Sequence, residues 1–159
     1  MREEIKVIKG SIFKDHRGTL WTSWKKNEKI KLSFNHDKFA ISKKKVLRGL
    51  HYDHKTWKLI SCVYGEVFFV VIDCRPSSKN YLKQNTFLLK AKDNIQILVP
   101  PNFANGHLCL SKECVFHYKL SYKGQYSDVK NQKTLKWNDK RLKIKWPKTK
   151  GITMSERDK

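Results

Sequence analysis

Apolar residues in this chain recur in short bursts, and Gly, Pro, Asn or Asp interrupts each burst before a helical period can establish itself. Ile5–Ile8, Leu20–Trp24, Lys38–Ile41, Val46–Tyr52, Lys58–Tyr64, Glu66–Cys74, Thr86–Leu89, Ile95–Val99, His107–Leu110 and Val115–Ser121 read as strands. Gly65, Pro76-Ser77-Ser78, Asp93-Asn94 and Pro100-Pro101-Asn102 mark turns between them. No internal repeat, low-complexity linker or long 3.6-residue period appears. The pattern predicts an all-β chain, an antiparallel sandwich or barrel of jelly-roll type, with any helix confined to a short helical or irregular C-terminal tail. At 159 residues, with 39% hydrophobic and 12% aromatic side chains, the chain has material for one core, so residues 1–159 are read as a single domain.

The formal net charge of +21 raises nucleic acid or an acidic membrane as partner. Only six of the 35 basic residues are arginine, the preferred reader of phosphates and bases, and the lysines are spread in short runs such as Lys43-Lys44-Lys45. No recognition helix or aromatic RNA-binding motif accompanies them, so no specific nucleic-acid role is expected. Cys62, Cys74, Cys109 and Cys114 form no CxxC pair and read as reduced, buried thiols. Met1-Arg2-Glu3-Glu4-Ile5 lacks the apolar core of a signal peptide, and the longest apolar run, Val67–Ile72, is too short for a bilayer. A cytoplasmic location without membrane attachment is the expectation.

Val46-Leu47-Arg48-Gly49-Leu50-His51-Tyr52 sets a guanidinium and an imidazole three residues apart in a strand-like run. Residues i and i+3 of a regular strand face opposite ways, so both side chains reach one pocket only if the backbone bends, which Gly49 permits. An anion clamp beside a possible general base points to an enzyme acting on a phosphorylated substrate.

Seven blocks then occur in a recognisable order: Phe13-Lys14-Asp15-His16-Arg17-Gly18; the Arg48 to His51 strand; Lys58-Leu59-Ile60; Tyr64-Gly65-Glu66-Val67-Phe68; Val99-Pro100-Pro101-Asn102-Phe103-Ala104-Asn105-Gly106; Trp137-Asn138-Asp139; and Ile144-Lys145-Trp146-Pro147. Together they resemble the dTDP-4-dehydrorhamnose 3,5-epimerase family of cupins. The resemblance implies a jelly roll, an epimerase that needs no metal or other cofactor, and a homodimer exchanging N-terminal strands. Its substrate would be a nucleotide-diphosphate sugar with a ketone at C4. The hydrogens at C3 and C5 both neighbour that ketone, so inversion needs a base on one face, a proton donor on the other and a cation at the ketone oxygen. By resemblance His51 is the base, Asp158 its orienting carboxylate, Lys58 the oxyanion stabiliser and Tyr118 the acid. Arg48 would hold the diphosphate, and Phe13 and Arg17 would reach the nucleotide from the neighbouring subunit.

Several positions depart from the family's pattern. Asn105 stands where the family has histidine, near the sugar. His36-Asp37-Lys38 and Thr22 replace residues that face thymine, and the loop from His51 to Lys58 is short. These departures keep two substrates open, a dTDP-4-keto-6-deoxyglucose type and a GDP-4-keto-heptose type, either one feeding capsule or O-antigen sugar biosynthesis. A metal cupin is disfavoured because His51 and His54 form HxxH rather than HxH and Asn105 removes a later ligand; His107 reads as strand packing. Two other functions remain as alternatives: a sugar 3,4-ketoisomerase and a noncatalytic sugar-binding cupin.

Overall fold

The computed structural model describes residues 4–26, 30–147 and 150–159. Met1 to Glu3, which begin the N-terminal stretch read above, lie outside them. Twelve strands follow one another: β1 (Lys6–Lys9), β2 (Ile12–Asp15), β3 (Gly18–Trp21), β4 (His36–Lys43), β5 (Leu47–Tyr52), β6 (Trp57–Tyr64), β7 (Glu66–Asp73), β8 (Gln84–Lys90), β9 (Ile95–Val99), β10 (Phe103–Cys109), β11 (Glu113–Ser121) and β12 (Lys133–Thr134). They form two five-stranded sheets, ordered β1-β9-β6-β11-β4 and β12-β5-β10-β7-β8, and a separate β2-β3 ribbon. All pairings between these twelve strands are antiparallel; one isolated parallel bridge joins Val46 to Thr153. This is the jelly-roll architecture that the strand pattern predicts.

Period-2 alternation builds the core between the sheets. Val67, Phe69 and Val71 of β7 meet Ile60 and Cys62 of β6, Ile97 and Val99 of β9, and Cys114 and Phe116 of β11. Strand β7 is apolar on its other face as well, because Val70 and Ile72 are covered by Leu142, Ile144 and Trp146 from the C-terminal segment. The outer face of the first sheet has a similar cover, in which Ile30, Trp24, Leu32 and Phe34 lie over Leu59 and Leu98. All four cysteines are buried and free.

Strands β2 and β12 escape the sequence reading. All four residues of β2 are exposed, so no alternation marks it, and β12 is two residues long. The expectation of helix only in the tail also needs correction. Four 3-10 helices occur among the described residues, and one of them, Ala91–Asp93, sits between β8 and β9, closed by Asn94 in the left-handed conformation. The other three span Val129–Asn131, Lys140–Leu142 and Glu156–Asp158.

The bend expected in the Arg48 to His51 run is present. Along β10, His51 pairs with Asn105 and Arg48 with His107, so three steps on β5 face two on β10, a bulge that returns both side chains to one side. Gly49 has φ +119, and a Cβ there would stand 2.6 Å from Gly106 Cα and 2.7 Å from the Asn105 carbonyl. No other residue type fits that crossing without displacement.

Candidate active site

The bulged β5 opens onto a cavity of ≈ 640 Å³ between the sheets. Its wall brings together six of the eight residues singled out from the sequence: Arg48, His51, Lys58, Asn105, Tyr118 and Asp158. Four strands and the tail supply them.

Asp158 lies one residue from the end of the chain, yet it is 3% exposed. Its Oδ1 is 2.6 Å from His51 Nε2, and its Oδ2 accepts the Gly49 backbone N–H at 3.2 Å. The tail is held for this purpose at two points. Thr153 exchanges backbone bonds with Lys45 and Leu47 at the start of β5. Arg157 reaches across to Thr134 Oγ1 (3.2 Å) and the Gln132 carbonyl (3.4 Å). A carboxylate accepting at Nε2 makes that nitrogen the protonated one and leaves the lone pair on Nδ1. Burial lowers the His51 pKa below its ordinary value; Asp158 opposes this, while Arg157 and Lys58 add to it. A neutral imidazole is the form able to take a proton.

Lys58 on β6 is buried, and its Nζ makes one long contact, 3.5 Å, to the His51 carbonyl. Burial pushes its pKa down to about 8, with Asp53 opposing the shift. Below that pH it remains a cation. Burial raises the Tyr118 pKa above its ordinary value, so the phenol keeps its proton across the working range. Its ring packs edge-on to Phe116 at 5.0 Å. Arg48 is steadied by Ser42 Oγ (3.0 Å) and the Ile41 carbonyl (3.3 Å). Asn105 Nδ2 donates to the His51 carbonyl at 3.0 Å and so braces the bulge. An acceptor nitrogen, a buried ammonium, a protonated phenol and a guanidinium thus converge on one space, the set needed to move a proton beside a carbonyl and stabilise the resulting oxyanion.

Phe13 and Arg17 stand apart from the cavity. They sit on the β2-β3 ribbon, 69% exposed at Phe13, with the Arg17 guanidinium held by Asp15 at 2.6 and 3.1 Å. His54 is exposed, and among the described residues no group of three or more His, Cys, Asp and Glu is placed to hold a metal ion. His107 packs in the core against Phe116, ring centroids 4.0 Å apart. Of His36, Asp37 and Lys38, only Lys38 enters the wall; Asp37 is engaged by His117 and Lys119, and His36 by Tyr122. Residues missed from sequence include Arg157, Tyr126 and Gln132, all in the wall. Arg157 adjoins Asp158 and was within reach of inference, whereas Tyr126 and Gln132 lie in irregular chain where no periodicity singles them out.

A model of the dTDP-4-dehydrorhamnose 3,5-epimerase family matches residues 2–159. The chain belongs to this family. The dTDP-4-dehydrorhamnose 3,5-epimerase of Escherichia coli (strain K12) is 35% identical over 98% of this chain and 87% of its own length. The family's fold recurs in solved structures. The dTDP-6-deoxy-D-glucose-3,5-epimerase of Legionella pneumophila Philadelphia 1, in complex with dTDP-4-keto-L-rhamnose, has a TM-score of 0.89 and 31% identity, covering 97% of this chain and 84% of the other. The epimerase of Bacillus anthracis str. Ames, with TDP and PPi bound, has a TM-score of 0.88 and 30% identity, covering 98% of this chain and 91% of the other. Membership in this epimerase family fits the proton-transfer set in the cavity. Among the described residues, no helix is long and apolar enough to cross a membrane.

Proposed function

We propose that this isomerase inverts C3, C5 or both in a nucleotide-linked 4-keto sugar, by way of an enolate. The observation that carries the reading is the 2.6 Å His51–Asp158 contact in the same cavity as Lys58 and Tyr118. Asp158 holds His51 with Nδ1 free, and His51 removes the proton next to the ketone. Lys58 receives the charge that develops on the ketone oxygen, and Tyr118 returns a proton from the opposite face. Arg48 grips the diphosphate in a geometry lysine cannot match. Asn105 borders the sugar. A second copy of the chain completes the site with Phe13 and Arg17, in a homodimer that exchanges N-terminal strands; their exposure on a ribbon outside the cavity supports this. The names of the relatives favour a dTDP-linked substrate. The product would feed surface-polysaccharide synthesis, and a cytoplasmic location belongs to the same reading.

Turnover in heavy water tests it. Deuterium should appear at C3, C5 or both when a dTDP-4-keto-6-deoxy sugar is supplied, because the returning proton comes from solvent. Turnover without solvent label would overturn the scheme, and a ketone relocated to C3 would identify a 3,4-ketoisomerase instead. His51→Asn should abolish exchange at both carbons. Calorimetric titration with dTDP and GDP decides the base: a preference for dTDP of about tenfold, ~1.4 kcal/mol, would set the GDP-4-keto-heptose alternative aside.

A further inference from the structure

Lys58 is a buried cation whose own contacts do not account for its charge. Its one hydrogen bond, to the His51 carbonyl, is at the limit of a hydrogen bond at 3.5 Å. Such an ammonium requires an opposing charge nearby. We propose that Asp53 is the counter-charge of Lys58, the buried carboxylate that keeps the ammonium charged beside the cavity. The proposal deepens the epimerase reading, and rests on it for the role given to Lys58.

The geometry comes from a four-residue loop. Asp53 to Thr56 join β5, which carries His51, to β6, which carries Lys58. Asp53 Oδ1 accepts the backbone N–H groups of Lys55 (3.0 Å) and Thr56 (2.7 Å), the self-bonded turn typical of aspartate. The Asp53 carbonyl accepts from Asn102 N–H at 2.7 Å, which ties the loop to the turn before β10. Only one carboxylate oxygen is needed for that turn. The other, Oδ2, is buried without a hydrogen-bond partner, as is the neighbouring Thr56 Oγ1. Asp53 itself is 4% exposed and stands outside the ring of residues lining the cavity. A buried carboxylate with an idle oxygen thus lies five positions before a buried ammonium with one long hydrogen bond, and its charge favours the cation without a direct hydrogen bond or ion pair between them.

The other groups bearing on Lys58 do not substitute. Lys38 opposes its charge, as a protonated His51 would. Cys74 acts in the same direction as Asp53, but burial raises its own pKa to about 11, so it is an uncharged thiol at working pH. Asp158 is committed to His51 and Gly49. Asp128, another carboxylate of the cavity wall, is exposed and accepts the Val129 backbone N–H. Asp53 is the buried carboxylate left to support Lys58.

The test is made on the intact chain with Asp53→Asn, which keeps an oxygen for the turn while removing the charge. Asp53→Ser retains a turn-forming hydroxyl and serves as a second variant. Lys58 is followed directly by NMR titration of its side-chain Nζ and Cε, a readout that needs no substrate. In both variants the Lys58 pKa should fall by about one pH unit or more, and the alkaline limb of kcat should move by the same amount with KM nearly constant. Lys58→Met combined with Asp53→Asn should lose no more activity than Lys58→Met alone. A Lys58 titration unchanged in folded Asp53→Asn and Asp53→Ser would overturn the proposal, whatever substrate the enzyme proves to use. A shifted titration without any change in the kcat profile would retain the counter-ion and instead remove Lys58 from the epimerase scheme.

Discussion

The Lys58 ammonium is held where burial opposes its charge, so stability and the catalytic role proposed for it pull in opposite directions. Its pKa in the folded chain is about 8, against 10.5 ordinarily. Between those values the unfolded chain binds a proton that the folded chain has released, so the Lys58 contribution to stability rises with pH across the window. The proposed scheme needs the cation at the ketone oxygen, so kcat should fall over the same window. The stability of the parent chain relative to Lys58→Met, read from denaturant melts, should therefore rise from pH 7 to pH 10 while the parent's kcat falls; the buried Cys62 and Cys74 thiols, raised to about 11, oppose the rise in both chains and cancel in the difference. Lys58→Met should lower kcat by about 10²-fold or more. Asp158 has a different dual role, because one oxygen orients His51 and the other satisfies the Gly49 N–H. Asp158→Asn should lower kcat by about 10²-fold or more through the wrong imidazole tautomer. Stability should fall by about 1–3 kcal/mol as buried groups lose their partners. Urea melts beside single-turnover rates separate the two losses.

Among the elements, β10 carries both a residue of the cavity wall and a buried imidazole without a hydrogen-bond partner. Asn105 braces the β5 bulge, and two residues on, His107 points into the core with both ring nitrogens buried and unpartnered. Burial, assisted by Arg48, pushes its pKa down to about 3. From about pH 6.5 down to that value the unfolded chain gains a proton that the folded chain refuses. Stability should therefore fall by about 1.4 kcal/mol per pH unit across the window, with no effect above it. His107→Phe keeps a ring against Phe116 and has no group to protonate. Its melts between pH 4 and pH 6.5 should be flatter than those of the parent chain, and its stability at pH 7 no lower. Equal acid sensitivity in the two chains would show that other groups govern the acid limb. Strand β5 illustrates a backbone requirement, since the side chains of Arg48 and His51 share a cavity only because Gly49 tolerates its φ and the approach of Gly106.

At the scale of the whole molecule, the β2-β3 ribbon leaves Ile12, Phe13 and Leu20 exposed, apolar surface suited to a second copy. Light scattering should give a dimer for the parent chain. Phe13→Ala with Leu20→Ala should weaken association and raise KM for the nucleotide sugar, while the His51–Asp158 contact, made within one chain, persists. A monomeric parent with full activity would exclude a site shared between copies. The strands of this molecule and the chemical kind of its reacting groups were legible in the chain, because alternation, turn residues and side-chain functionality are local properties. Ten of the twelve strands announced themselves in that way, while β2, exposed throughout, and the two-residue β12 had no buried face to impose a pattern. The family resemblance likewise pointed to Arg48, His51, Lys58, Tyr118 and Asp158 as one set. What folding alone supplied is their relation in space. Asp158 is 107 residues from His51 and meets it because Thr153 and Arg157 tie the tail to β5 and β12. Lys58 becomes a tuned cation only when the sheets close over it, and Asp53 acquires an idle buried oxygen only after its loop has turned. Such properties are sums over neighbours distant in sequence, so burial and charge at a residue exist only once the sheets have packed.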